Sequence, residues 1–429
     1  MSRIIANILF FITVLLAEKI YAYDSSDPVA LSMSGAALVK SKGANGALAN
    51  PANLGLSYNK GLRIELFQVG SMVGNNALNL YDYNRISGDF LDEREKQIFL
   101  KSIPTEGFRA ASALDMMVLG ISVNRLAFSV TLHSAESVHL PKDMFDLALF
   151  GNRLDRTYKL ASRDMGEFWT VAATTVSYGQ PIRTGLFKRL ALGIGIKHLA
   201  GINYGKAGGS MDLMTRMSGF ENKGRVTIKS AGENDFNSKR INMNGTGFAA
   251  DFGLACEMND RWSLGLSLIN ISNGITWKKD TRIRTYDMSI DDMVVLSDST
   301  GILLNENKLA DLSDTTGIVL RSRYPATFSA GIAYHSHYLS AELNLEKGFY
   351  NGAGSYSRWH VSQGVEITLI PFLPIRAGIG IWDNRTVTFS SGFGIKIAFI
   401  HIDAAGISQG FPGYGIKGMG FSLSTGFEF

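Results

Sequence analysis

Along most of the chain, hydrophobic and polar residues alternate one by one. At its end Phe421, Leu423, Thr425, Phe427 and Phe429 interleave with Ser422, Ser424, Gly426 and Glu428. Upstream, Phe393, Ile395, Ile397 and Phe399 interleave with Gly394, Lys396 and Ala398, and Ile375, Ala377, Ile379 and Ile381 with Arg376, Gly378 and Gly380. The same period runs through 192–196, 248–254, 262–268, 328–334, 341–345 and 364–369. A repeat of two puts successive side chains on opposite faces of a strand, and a helix cannot produce it. The pattern predicts an all-β chain of about 14 strands, inside the range of single-chain bacterial barrels. The spans are 61–70, 107–122, 125–139, 158–178, 190–204, 211–230, 245–257, 261–278, 318–335, 338–347, 357–370, 374–384, 387–403 and 416–429. Asn259-Asp260 and Asp383-Asn384 supply turn residues for tight hairpins.

Some stretches break the period. Residues 23–60 are small, polar and glycine-rich. Residues 88–103 read as a helix capped by Asp89 and ended before Pro104, and 141–150 as a second between Pro141 and Gly151. Residues 279–316 read as a long polar loop rich in Asp and Ser.

Two architectures share such alternation: a soluble sandwich with its charges in water, and a membrane barrel with its charges in the lumen. Asp251, Glu342, Glu346, Glu366, Arg376 and Lys396 all fall on the polar phase, beside many of the glycines. The chain has 46 Gly, 9 Pro and a mean hydropathy of +0.06, and no apolar run of 18 residues follows residue 22. Transmembrane helices are thereby excluded, whereas strands shared between lipid and a polar lumen give this average. Arg3, the apolar residues 4–17 and the pair Tyr21-Ala22 read as a secretory signal, so 1–22 is expected to be removed. That leader and the terminal phenylalanine favour the barrel, 61–429, in the outer membrane of a Gram-negative bacterium.

Charge and candidate chemistry narrow the function. The formal net charge is +4 with no basic block, which disfavours nucleic acid. Cys256 is the single cysteine, so no disulfide framework exists and no lipidated N-terminus is expected. His335 and His337 share a strand face with Glu342 and Glu346 across a hairpin, a pattern too sparse for a metal site. Asp287, Asp291, Asp292, Asp298, Asp311 and Asp314 lack the spacing of a calcium loop. No persuasive Ser/His pairing marks a hydrolase. No catalytic residue, metal or cofactor is expected.

The segment Ser34-Gly35-Ala36-Ala37, followed by Asn50-Pro51-Ala52, resembles the N-terminal motif of FadL-type outer-membrane barrels. Pro374 to Gly378, Ser390 to Gly394 and Ile402-Asp403 are similar to the strands that close those barrels. The resemblance implies a barrel plugged by an N-terminal hatch, here 23–60, and passive uptake of a fatty-acid-like or aromatic compound. A secretion scaffold or surface-binding barrel is the alternative it leaves open. The substrate-binding residues of the transporters have no match here.

Two expectations come from register. Glu366 and Arg376 lie at nearly equal distances from the 371–374 turn and are expected to pair across it, facing the lumen. Phe421, Phe427 and Phe429 share the lipid phase of the last strand and read as its assembly signal. The partners implied are outer-membrane lipid, the barrel assembly machinery and a hydrophobic small molecule.

Overall fold

Period-two alternation gives each strand one greasy and one polar face, and closing the sheet on itself removes its edges. In the computed structural model the described residues are 26–86, 90–217, 219–232, 241–293, 297–298, 301–302, 311–382, 386–413 and 415–429. The leader 1–22, Asp89 and the Asp383-Asn384 turn lie outside them. The barrel strands are β1 (Leu62–Asn75), β2 (Phe108–Val123), β3 (Leu126–Leu140), β4 (Gly166–Ile182), β5 (Arg189–Arg216), β6 (Gly245–Glu257) and β7 (Trp262–Trp277). They continue as β8 (Thr327–His335), β9 (Leu339–Gly348), β10 (Trp359–Ile370), β11 (Leu373–Trp382), β12 (Thr386–Ile397), β13 (Ile400–Gln409) and β14 (Gly418–Glu428). Each pairs antiparallel with its neighbour, and β14 pairs back onto β1, closing a 14-strand barrel.

Side chains sort as the alternation predicts. On β14, Phe421 and Leu423 are exposed to the outside, while Ser422 and Ser424 are buried in the lumen. Tight turns at 124–125, 258–261, 336–338, 371–372 and 398–399 gather at one end, and the longer connections 76–107, 141–165 and 349–358 at the other. By the usual pattern of such barrels the tight end is periplasmic.

The strand total agrees with the sequence expectation only because two errors cancel. Span 387–403 is two strands, β12 and β13. The turn between them runs through Ile397, Ala398, Phe399 and Ile400, with Ala398 at φ +53°, and no Gly, Asn or Pro announces it. Span 211–230 is not a barrel stave. Its first part is the far end of the 28-residue β5, and Gly219–Ala231 folds back on it beyond the barrel rim. Residues 158–178 also divide, into Thr157–Ala161 and β4.

The expected polar loop 279–316 contributes strands to the same outer arm. Thr281–Met293 pairs with Gly219–Ala231, and Asp311–Thr316 pairs with Thr281–Met293. Its Thr, Tyr and Ile residues alternate with charges, a strand pattern that its Asp and Ser content hid. In place of one helix over 88–103 there are helices at Leu80–Ile86 and Glu93–Ser102, the latter held by a capping box between Asp92 and Glu95. The second expected helix is Lys142–Phe150, with Gly151 at φ +72° just past its end.

Candidate functional site

The lumen is filled from the N-terminus. Pro28–Ser32 and Gly43–Ala49 are short helices, and Pro51–Gly55 and Ser57–Asn59 are single 3-10 turns. Leu31, Met33, Ala36, Val39, Asn50, Ala52 and Asn53 of this segment are almost wholly buried. Ser34 and Gly35 turn the chain with φ of +53° and +91°. The Ser34 hydroxyl lies 2.8 Å from that of Ser390, and the Gly35 carbonyl accepts from Asn344 Nδ2 at 3.0 Å. Ala36 and Ala37 are buried behind this turn.

Asn50 does two jobs at the second motif. Its Oδ1 accepts from the Ala52 N–H at 3.0 Å, capping the turn that Pro51 begins, and its Nδ2 donates to the Leu254 carbonyl of β6 at 3.1 Å. Asn53 Nδ2 donates to the Leu38 carbonyl, and Asn59 ties Asn53 O to Gly43 N. Within the N-terminal segment these asparagines satisfy buried backbone groups that no strand partner reaches.

The wall opposite this turn is made of glycine. Gly179, Gly193 and Gly253 are direct neighbours across β4, β5 and β6. A Cβ at Gly193 would lie 2.0 Å from the Ala52 nitrogen, one at Gly253 2.0 Å from Asn50 Oδ1, and one at Gly179 2.6 Å from the Gly55 nitrogen. Backbone meets backbone there.

Across the lumen the contact is ionic. Glu366 and Arg376 are partners in the β10–β11 ladder, with Arg376 Nε 2.6 Å from Glu366 Oε2. Lys40 of the N-terminal segment reaches the other Glu366 oxygen at 2.6 Å, and Arg376 reaches Asp403 at 2.7 Å. Nearby, the Val39 N–H donates to Glu342 at 2.8 Å and the Ser57 N–H to Glu257 at 2.9 Å. Lys40 carries no signal in the sequence, and Asp403 only its place in the resemblance, because their partners are remote along the chain. Burial lowers the Lys40 ammonium below its ordinary range, although Glu366 opposes the shift.

Above the N-terminal segment, toward the outer end, lies a cavity of 160 Å³. Its wall is mainly apolar, with Leu38, Leu48, Ala113, Trp169, Ile269 and Tyr324 among the residues that form it. Trp169 and Tyr324 pack at 5.8 Å between ring centroids, and Trp169 Nε1 donates to the Ala353 carbonyl at 3.0 Å. Asp115 and His133 are ladder partners and bond at 2.9 Å, and His133 Nε2 lies 2.8 Å from Thr131 Oγ1. This order imitates a hydrolytic triad, set among strand N–H groups that are committed to the ladder. A wider vestibule of 870 Å³, bordered by Tyr204, Lys206, Arg321 and Tyr350, opens farther out.

The remaining candidates do not converge. His335 Nδ1 meets Ser340 Oγ at 2.9 Å and His337 packs on Tyr338, so the two histidines form no chelate with Glu342 or Glu346. Among the described residues no group of three metal-ligating side chains occurs. Asp287 pairs with Arg225 and Asp314 with Arg282 on the arm, while Asp291, Asp292, Asp298 and Asp311 fall outside the described side chains. Phe427 and Phe429 pack with Phe399 at the periplasmic rim, and Phe421 lies farther up the lipid face.

Comparison with known proteins places this geometry. A family model described as a family of unknown function (DUF5723) matches residues 51–401. No curated protein matches the sequence. Among solved structures, a Pseudomonas aeruginosa FadL homologue is 13% identical with a TM-score of 0.54, covering 95% of this chain and 99% of its own. The P. putida toluene transporter TodX is 12% identical with a TM-score of 0.51, covering 96% and 99%. The monoaromatic hydrocarbon channel CymD is 12% identical with a TM-score of 0.52, covering 94% and 98%. At such identities the likeness establishes the fold, which is the FadL-type barrel.

Proposed function

The chain belongs to the DUF5723 family of unknown function, and from that premise we propose that it is a passive route for a hydrophobic small molecule across the outer membrane of a Gram-negative bacterium. The observation that carries the reading is the 160 Å³ cavity, mainly apolar but edged by Asp27, Asp115, His133, Lys197 and Glu346, held between the outer vestibule and a lumen-filling N-terminal segment. An apolar cavity of about 150 Å³ is known to take up benzene, so the space suits one aromatic ring or a short acyl chain. Residues 26–60 act as a hatch that denies water and ions an open pore. A greasy solute leaves water for the cavity because burial of its apolar surface yields roughly 25 cal/mol per Å². The structural neighbours named for toluene and monoaromatic transport support the same solute class.

The test is equilibrium binding of toluene to the purified barrel in detergent, read by calorimetry. Wild type is expected to bind saturably. Ala113→Phe, which fills the cavity, is expected to weaken binding about tenfold, the equivalent of roughly 1.4 kcal/mol. Absence of saturable binding in the wild type would sink the proposal. A surface-binding or scaffold role is the alternative, and the outer arm built on the far end of β5 is the feature that favours it. A stable complex with a surface or periplasmic protein, formed with the cavity empty, would decide for that role.

A further inference from the structure

Resting on the uptake reading, we infer that the cavity prefers a hydrophobic cation, a single ring or short chain bearing a protonated amine, over a neutral or acidic solute of the same shape. The charges on the cavity wall set the preference. Its basic groups are both engaged. Lys197 Nζ lies 2.9 Å from Asp251 Oδ2 and 2.5 Å from Asn270 Oδ1, and the Asp251 side chain is fully buried behind it. His133 is held between Asp115 and Thr131. No cation on this wall is left for an incoming carboxylate.

The acidic groups are not balanced in the same way. Asp27 is used by the hatch itself, capping the Val29 N–H at 2.9 Å and accepting from Ser41 Oγ at 3.1 Å. Glu346 is different, since its carboxylate takes a hydrogen bond from the Ser329 hydroxyl but meets no cation. It lies on the luminal phase of β9, directly opposite Ser329 on one side and His360 on the other, and lines the cavity. The basic side chain next to it in sequence, Lys347, points to the other face, with its ammonium over the Trp359 ring at 5.1 Å. Among the described residues no Lys, Arg or His lies within ion-pair distance of Glu346.

A carboxylate facing a water-poor space without a counter-charge is costly unless something supplies one. The same cavity offers ring surfaces, Trp169 and Tyr324, which attract cations through their negative faces. Carboxylate and aromatic ring together recognise an ammonium on an apolar body. They repel a fatty acid, whose carboxylate would face Glu346 with no cation free to meet it. The wall is built to discriminate by charge as well as by size.

Three probes of nearly one shape test this on the full-length barrel in detergent at neutral pH: benzylamine, toluene and benzoate. Calorimetry is expected to rank benzylamine at least about tenfold tighter than toluene, a ratio equivalent to roughly 1.4 kcal/mol, with benzoate the weakest. The near-isosteric Glu346→Gln is expected to shrink the benzylamine-to-toluene ratio toward unity, so the ratio and not the absolute affinity is the readout. Benzoate binding as tightly as benzylamine, or a wild-type ratio near one, overturns the preference and leaves the uptake reading standing. Failure of all three probes to bind overturns both. The wild-type ranking decides the matter even if the variant does not assemble.

Discussion

The two flanks of the N-terminal segment are held by opposite kinds of contact. On the β4–β6 side the turn at Asn50-Pro51-Ala52 lies on Gly179, Gly193 and Gly253, and the fit is steric. On the β10–β13 side Lys40 is tied to Glu366, Arg376 and Asp403 through alternating charges. A steric seat is indifferent to pH and salt, and it tolerates no added atom. A charge chain is directional, and losing one member leaves its neighbours stranded. The difference teaches that the glycine flank acts as the fixed side, and the ionic flank as the side where conditions can act.

The largest expected effect belongs to the ionic flank. Arg376→Ala strands Asp403 and leaves Glu366 with Lys40 alone, and removing one partner of a buried pair costs about 3–5 kcal/mol. The adjoining cavity of 120 Å³ admits water beside Arg376, so the lower end of that range is expected. Urea unfolding of the barrel in lipid vesicles measures it. An unchanged midpoint would mean that this flank is already solvated and carries no load.

Gly193→Ala comes next. The new Cβ meets backbone that cannot swing aside, and overpacking of this kind costs about 1–3 kcal/mol. Trypsin cleavage after Lys40 or Lys42 should speed up as the hatch lifts from its seat. Normal protection with normal stability would remove the steric half of the comparison.

The smallest effect is a pH slope. Burial holds the Lys40 ammonium below its unfolded value, so the unfolded chain keeps its proton to higher pH than the native one. Stability from this group therefore rises with pH between the lowered native value and the ordinary lysine range, and is reduced below that window. Lys40→Met should flatten this alkaline slope. An unaltered slope in the variant would assign it to other lysines.

Much of this was legible in the sequence because it is periodic. The luminal phase of Glu366, Arg376 and the glycines follows from counting by twos, and the Asn-Pro turn from what proline does to its neighbours. What stayed hidden lacks a local signature. The turn at Ala398 is made of apolar residues, so β12 and β13 read as one strand. The far end of β5 keeps a strand pattern beyond the barrel rim, so 211–230 read as a stave of its own. Lys40 looks like an ordinary polar residue until the fold brings in Glu366, 326 positions away. The cavity belongs to no segment at all, since it is the space left between the hatch and several strands.

The greasy turn at Ala398 also bears on how the molecule rests in its bilayer. Ile397, Phe399 and Ile400 are exposed there, Leu369, Ile370 and Phe372 are exposed at the next turn along the rim, and Phe429 is exposed beside them. The turns beneath β2–β7 mix Arg125, Arg183, Lys188, Asp260 and Arg261 with the exposed Leu186 and Met258. Charge is thus set unevenly around the rim with the tight turns, and the sector at Ala398 is the one that acyl chains cover at the least cost in desolvated charge.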